Sequence, residues 1–149
     1  MALDNSKIRG IILTEHVGLR LDLEELDALL EPGSNGAAAY DRARALLAEL
    51  LHSFLEHLEH EERILRPILA TVDAWGAARV DAMDLEHTQQ RAWVSRLTQL
   101  DAVRDPDAWA REVRAFSSTL LADMDEEERT CLSAAVLRDD IVAIDAVSE

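Results

Sequence analysis

The chain has 149 residues, of which 48% are apolar and 30% charged, and its formal net charge at pH 7 is −15. This length most simply forms one domain over residues 1–149 with room for a buried core, and the apolar content argues against disorder. The acidic balance argues against nucleic acid or anionic membranes as main partners and predicts an acidic, solvated surface.

Cysteine usage and hydropathy predict a cytoplasmic protein. Cys131 is the single cysteine, so it cannot form an internal disulfide and suits a reducing compartment. No basic-then-apolar signal segment opens the sequence, and no run of about 18 apolar residues could span a bilayer. We therefore expect no membrane partner, and we expect Cys131 to be a small buried apolar residue.

The first two predicted helices are separated by a loop rich in proline and glycine. The first helix begins at a cap among residues 4–6 and ends near Leu30. The second helix begins between residues 37 and 40 and reaches about Leu69. Pro67 lies near its end and is expected to kink or terminate it.

Two further long helices follow. The third is predicted from about Asp73 to Val103. Asp105 is then expected to cap the fourth helix, with Pro106 at its first position, and this helix runs to about Ala135.

The tail around Ile141–Val147 is amphipathic and predicts a short C-terminal helix. Strand-like alternation is missing throughout the sequence. Four long helices with short connections predict an all-α fold, an up-down-up-down antiparallel four-helix bundle with a short C-terminal helix. The three tryptophans are expected to fill the core or gaps between helices, and they are Trp75, Trp93 and Trp109.

Each predicted helix has an apolar face that is interrupted by side chains able to bind metal. The interrupting residues are His16 on the first helix, His57 and Glu61 on the second, His87 on the third, and Asp123 and Glu127 on the fourth. Burying such groups without partners costs several kcal/mol, about 2–7 for a neutral polar group. Because antiparallel helices can bring these side chains to a similar depth, the pattern predicts a site for a pair of divalent or trivalent cations.

Each interruption also has a simpler explanation when it is taken alone. A lone interior histidine is more often a hydrogen-bonded core residue than a ligand, and His57 with Glu61 is compatible with a pair on a helix surface. Asp123 and Glu127 belong to an acidic run of a kind that is usually solvated. The coincidence on four separate apolar faces favours the metal site. The two histidines off these faces are expected on the surface or in support of the site, and they are His52 and His60.

These residues carry a resemblance to a known family. The stretch Leu50-(x)6-His57-(x)3-Glu61-Glu62-(x)2-Leu65-(x)-Pro67 resembles the second-helix motif of hemerythrin-like (HHE cation-binding) domains. Glu15-His16 and Glu86-His87 resemble the histidines of the first and third helices, and the acidic run from Asp123 to Arg129 resembles the fourth-helix motif of histidine and glutamate. The resemblance covers about Ile8 to Ala135.

The resemblance implies two iron ions, or another divalent metal, in the core of the bundle. It implies that His16 and His57 bind one iron, that His87 and Asp123 bind the other, and that Glu61 and Glu127 bridge them. Asp123 stands where the family usually has a histidine, and Arg91 stands where oxygen-carrying members often have a second third-helix histidine. The second iron then has fewer nitrogen and more carboxylate ligands than in an oxygen carrier.

The expected function is therefore that of a non-heme diiron protein that binds or senses O2 or a related small oxidant. Carboxylate donors stabilise ferric iron, so reversible carriage is less expected than sensing, slow oxidation chemistry or iron handling by an enzyme. The alternative is a regulatory or interaction bundle with a degenerate metal site, in which the acidic surface binds a basic partner.

Overall fold

The computed structural model describes residues 3–33 and 36–139, and these residues form helices and turns without strands. The helices are α1 (Asn5–Leu29), α2 (Ala37–His60), a π-helical turn (Glu61–Leu65), α3 (Arg66–Leu69), α4 (Gly76–Gln99) and α5 (Pro106–Arg129). The predicted all-α class is confirmed. The predicted short helix at Ile141–Val147 lies outside the described residues.

Cross-helix side-chain contacts show that neighbouring helices are antiparallel. Helix α1 contacts α2 and α5, and α4 contacts the same two helices. Between α1 and α5, His16 contacts Glu128, and Asp27 accepts a hydrogen bond from Ser117. Residue numbers therefore rise along one helix as they fall along the other. Contacts between α1 and α2 and between α2–α3 and α4 follow the same rule.

The core consists of two apolar clusters that lie one above the other along the bundle. The larger cluster includes Leu19, Phe54, Val94 and Phe116, and the smaller one includes Ile12, Leu65, Met83 and Leu132. On every helix the residues between these two levels are the ones that interrupt the apolar face. A layer of buried polar side chains therefore crosses the bundle between two apolar layers that exclude water.

Pro67 does not end the second long helix. The helix instead forms a wider, π-helical turn directly before the segment that contains Pro67. In a regular α-helix the ring of Pro67 would clash with the carbonyl of Arg63. Instead the chain forms a π-helical turn, in which the Arg66 N–H donates to the carbonyl of Glu61, five residues back. The helix then continues to Leu69, and Leu65 and Leu69 remain buried.

Turn chemistry shortens the predicted third and fourth helices. Asp73 was expected to begin a helix, but its carboxylate accepts the N–H of Trp75, and this turn delays α4 to Gly76. At the other end Leu100 is extended, so α4 stops at Gln99 rather than at Val103. Helix α5 stops at Arg129 rather than near Ala135, since Thr130 leaves the helical conformation and turns follow.

Other local predictions have mixed outcomes. The capping prediction for α5 is confirmed, because Asp105 accepts a hydrogen bond from the N–H of Ala108 and Pro106 is the first residue. The prediction for Trp75 is wrong, because it lies in the turn before α4 and is 69% exposed. Trp109 is buried and Trp93 packs edge-on against Phe116, as expected for core fillers. Within the described residues, none of the helices has the length and apolar content required to cross a membrane.

We expect Gly76→Ala to destabilise the protein, because a Cβ at this position would lie 2.6 Å from the carbonyl oxygen of Leu69. A clash with backbone costs about 1–3 kcal/mol of unfolding free energy. Gly10→Ala is the matched control, since no atom lies within 4 Å of its added Cβ. That control should stabilise α1 by about 0.5–1 kcal/mol. Urea denaturation measures both, and equal effects would contradict the packing of Gly76.

Candidate metal centre

Glu61 lies at the centre of the polar layer and contacts imidazoles from three helices. Its side chain is 1% exposed. Its Oε1 lies 2.8 Å from the Nε2 of His57 and 3.7 Å from the Nε2 of His16, and its Oε2 lies 2.8 Å from the Nε2 of His87. The two carboxylate oxygens therefore face different imidazoles on opposite sides of the layer.

One side of Glu61 forms a compact group of four possible ligands. Glu127 joins this group from α5, with its Oε1 3.4 Å from the Nε2 of His16. One donor atom from each of His16, His57, Glu61 and Glu127 lies within 4.8 Å of the other three. Two imidazole nitrogens and two carboxylate oxygens are a suitable donor set for iron or zinc.

The remaining two predicted ligands do not join this compact group. His87 contacts the opposite oxygen of Glu61. Asp123 is half-buried on α5 and accepts a hydrogen bond of 3.1 Å from the Nε2 of Gln90. Asp123, Glu61 and Gln90 nevertheless line one small interior cavity of about 10 Å³, together with the compact group. All six predicted residues therefore lie in the same layer of the bundle.

An outer carboxylate orients each of the three imidazoles. The Nδ1 of His57 lies 2.9 Å from Glu15, that of His87 lies 2.9 Å from Glu62, and that of His16 lies 3.2 Å from Glu128. A proton on Nδ1 that is donated to a carboxylate leaves the lone pair on Nε2, which points inward. This arrangement of carboxylate and histidine is the usual support of a histidine that binds metal.

The outer carboxylates are held in turn by arginine and histidine side chains. Glu62 accepts two hydrogen bonds from Arg91, and Glu128 accepts a hydrogen bond from Arg20. The second oxygen of Glu15 lies 2.6 Å from the Nδ1 of His60. Arg91, which stands where some relatives have a histidine, thus supports His87 through Glu62. Of the two roles expected for His60, the structure shows support of the site, whereas His52 is exposed and, among the described residues, forms an ion pair only with Glu56.

The three outer carboxylates were not predicted as functional residues, although the sequence carries a signal for them. Glu15 precedes His16, Glu62 follows Glu61, and Glu128 follows Glu127. Each therefore lies beside a predicted ligand on its own helix but contacts the histidine of a neighbouring helix.

The pKa shifts of His16 and Glu127 indicate that the buried layer favours added positive charge. Burial lowers the pKa of His16, but the nearby carboxylates of Glu127 and Glu61 outweigh burial and raise it to about 10. Burial and the charge of Glu61 raise the pKa of Glu127. Burial also opposes ionisation of Glu61, yet contacts with Glu127 and the imidazoles hold its pKa well below the usual range.

Three inward-facing atoms are buried without a hydrogen bond of proper geometry among the described residues, and they are the Nε2 of His16 and the Oε1 atoms of Glu61 and Glu127. Unpaired buried polar atoms are rare in proteins and require an explanation. When His16 and Glu127 are deprotonated, lone pairs of nitrogen and oxygen face one another here, which is unfavourable unless a metal cation takes the place of the protons. The donor set therefore fits a bound metal ion.

Comparison with known proteins agrees with this geometry. The model of the hemerythrin HHE cation-binding domain matches residues 8–135, which include all six predicted ligands. No curated protein and no solved structure matches the chain significantly.

We expect Glu62→Gln to weaken metal binding by about 10–100-fold, the usual cost of losing an outer hydrogen-bond partner. The amide no longer selects the Nδ1 proton of His87 and no longer balances Arg91. Isothermal titration with Fe²⁺ or Zn²⁺ measures the affinity. Glu56→Gln is the matched control, because Glu56 is exposed and its one ion pair within the described part of the chain is with His52. Equal affinities of the two variants would show that Glu62 does not orient a ligand.

The metal-free protein is expected to lose stability as the pH rises from about 7 to 10. Because folding raises the pKa of His16 from 6.5 to about 10, its proton stabilises the fold fully below pH 6.5, and this contribution is lost as pH rises through about 10. The raised pKa of Glu127 acts in the same direction.

Urea unfolding in the presence of a chelator measures this pH dependence. His16→Gln should flatten the curve, whereas His52→Gln, at an exposed position, should leave it unchanged. A wild-type curve as flat as that of His16→Gln would contradict the raised pKa.

Proposed function

The chain belongs to the hemerythrin HHE cation-binding domain family, and from this membership and its buried layer we propose that it is a non-heme diiron protein that binds or senses O2 or a related small oxidant. The observation that carries the proposal is the set of inward-facing Nε2 atoms around the two oxygens of Glu61. Three imidazoles oriented in this way by carboxylates form a prepared metal site rather than an ordinary polar core.

Each residue has a defined part in this proposal. His16 and His57 hold the first iron, and His87 and Asp123 hold the second. Glu61 supports the bridging role because its oxygens face imidazoles on opposite sides of the layer. Glu127, the second proposed bridge, lies beside His16 and lines the same interior cavity as Asp123.

Bound iron would supply the electrons and the open coordination positions for O2 or peroxide. The ligands of the chain determine the outcome of that chemistry. The second position has one imidazole, and it has a carboxylate where relatives usually have another imidazole. Carboxylate donors favour the ferric state and disfavour the release of unreduced O2. We therefore propose sensing or slow oxidation, including iron oxidation, ahead of reversible carriage.

Small molecules have a route to the layer between α4 and α5. A cavity of about 400 Å³ opens there, and its walls include Ala78, Ala82 and Met83. Asp123 and Glu127 line this cavity as well as the interior one. An apolar passage of this kind suits O2. We also propose a cytoplasmic location, because a reducing compartment suits the single cysteine.

Anaerobic loading with Fe²⁺ followed by exposure to air tests the proposal. We expect about two irons per chain, as in carboxylate-rich bundle sites, and near-ultraviolet charge-transfer bands that develop on oxidation. Glu61→Ala should weaken iron binding by more than about 100-fold, because it removes the ligand shared by both positions. Glu59→Ala is the control, since Glu59 is exposed on the same helix.

Other outcomes would point elsewhere. Unchanged iron loading of Glu61→Ala would refute the bridging role. Failure of the wild-type protein to retain metal would favour the interaction bundle, whose net charge of −15 suits a basic partner. Repeated turnover of Fe²⁺ or peroxide would identify an iron-handling enzyme.

A further inference from the structure

Glu86 on α4 and Asp123 on α5 form a carboxyl pair at the edge of the polar layer. The two side chains approach each other across the interface between the helices, and both are partly buried. Both line the cavity of about 400 Å³ between the two helices. Like charges that are held together in this way repel each other unless a cation lies with them.

This pair differs from the other carboxylates around the site because no cationic side chain neutralises it. Glu15, Glu62 and Glu128 each contact a histidine or arginine in addition to the imidazole that they orient. Glu86 and Asp123 have no ion pair within 4 Å among the described residues. Arg79 is the one cationic residue among the described residues that line the cavity, and it is paired with Asp73.

The position of Glu86 matches that of the outer carboxylates. Like Glu15, it directly precedes a histidine, and it contacts a predicted ligand on the next helix. The other outer carboxylates contact an imidazole N–H, whereas Glu86 faces Asp123, which offers no N–H. The residue that would orient a histidine therefore faces an oxygen ligand, and the pair is left with excess negative charge.

Gln90 gives an independent indication that a cation belongs here. It lies one turn after Glu86, is 91% buried, and directs its Nε2 to Asp123. Its Oε1 has no hydrogen-bond partner among the described residues. A neutral amide oxygen that is buried beside two carboxyl groups is a suitable neighbour for a hard metal ion.

We propose that Glu86 is a seventh protein ligand of the metal centre and that it completes the second position together with Glu61, His87 and Asp123. This proposal rests on the proposed dimetal function. Glu61, Glu86, Asp123 and Glu127 then carry the four negative charges that balance two divalent cations. With the two bridging glutamates counted, the second position has four carboxylates and one imidazole, so it suits hard ions such as Mn²⁺ and Fe²⁺.

Titration of the metal-free protein with Mn²⁺ tests the proposal, with calorimetry and metal analysis as readouts. We expect two ions per wild-type chain and the magnetic-resonance spectrum of a coupled Mn²⁺ pair. Glu86→Gln keeps the size of the side chain and can still donate a hydrogen bond to Asp123. If Glu86 is a ligand, this variant should retain the first ion, bind the second at least about tenfold more weakly, and show the spectrum of isolated Mn²⁺.

Glu126→Gln is the matched control, because Glu126 lines the same cavity but is exposed and paired with Arg129. It should retain both ions. Glu86→Ala is a second variant at the tested position, and circular dichroism shows which variants keep the helical fold. The same selective loss of the second ion is expected for Glu86→Ala.

The outcomes separate the two proposals. If the wild-type protein binds no Mn²⁺ or Fe²⁺, the proposed function and this inference both fail. If the wild-type protein and Glu86→Gln bind two ions equally well, Glu86 merely positions Asp123, and only this inference is overturned. Loss of both ions from a folded Glu86 variant would also overturn the assignment of Glu86 to the second position.

Discussion

The contact between an imidazole Nδ1 and an outer carboxylate is the interaction on which the rest of this structure depends. It is repeated for His16, His57 and His87, and each time it turns a nitrogen lone pair toward Glu61. Without this contact the imidazoles could rotate or change tautomer, and the layer would be a set of buried polar groups at considerable cost. With it, the layer is preorganised for a cation.

The apolar clusters above and below the layer give this arrangement its strength. Leu19, Phe54 and Phe116 lie in the cluster on one side, and Ile12 and Leu65 lie in the cluster on the other. Because these clusters exclude water, charges in the layer interact more strongly than they would at the surface. Burial opposes the ionisation of both Glu61 and Glu127 and raises the pKa of Glu127, whereas the contacts of Glu61 with Glu127 and three imidazoles hold its pKa well below the usual range.

Periodicity in the sequence was sufficient to predict the fold class and to identify the residues of the layer. His16 and Glu61 could be found because each occupies an inward position on an otherwise apolar helix face. The contacts between helices could not be found in this way, because they depend on the rotation and relative height of the helices. The contacts of Arg91 with Glu62 and of Glu86 with Asp123 were therefore not predicted. Trp75 was misplaced because the turn at Asp73 delays the helix that was expected to carry it.

The carboxylates beside the predicted ligands form a closed circuit around the bundle. Glu128 connects α5 to α1, Glu15 connects α1 to α2, Glu62 connects the π-helical turn to α4, and Glu86 connects α4 back to α5. At the level of the polar layer each helix thus has side-chain contacts with both of its neighbours. Translation or rotation of one helix would disturb the contacts on both sides. A change in the position of the central carboxylate would therefore alter contacts on all four helices rather than on one.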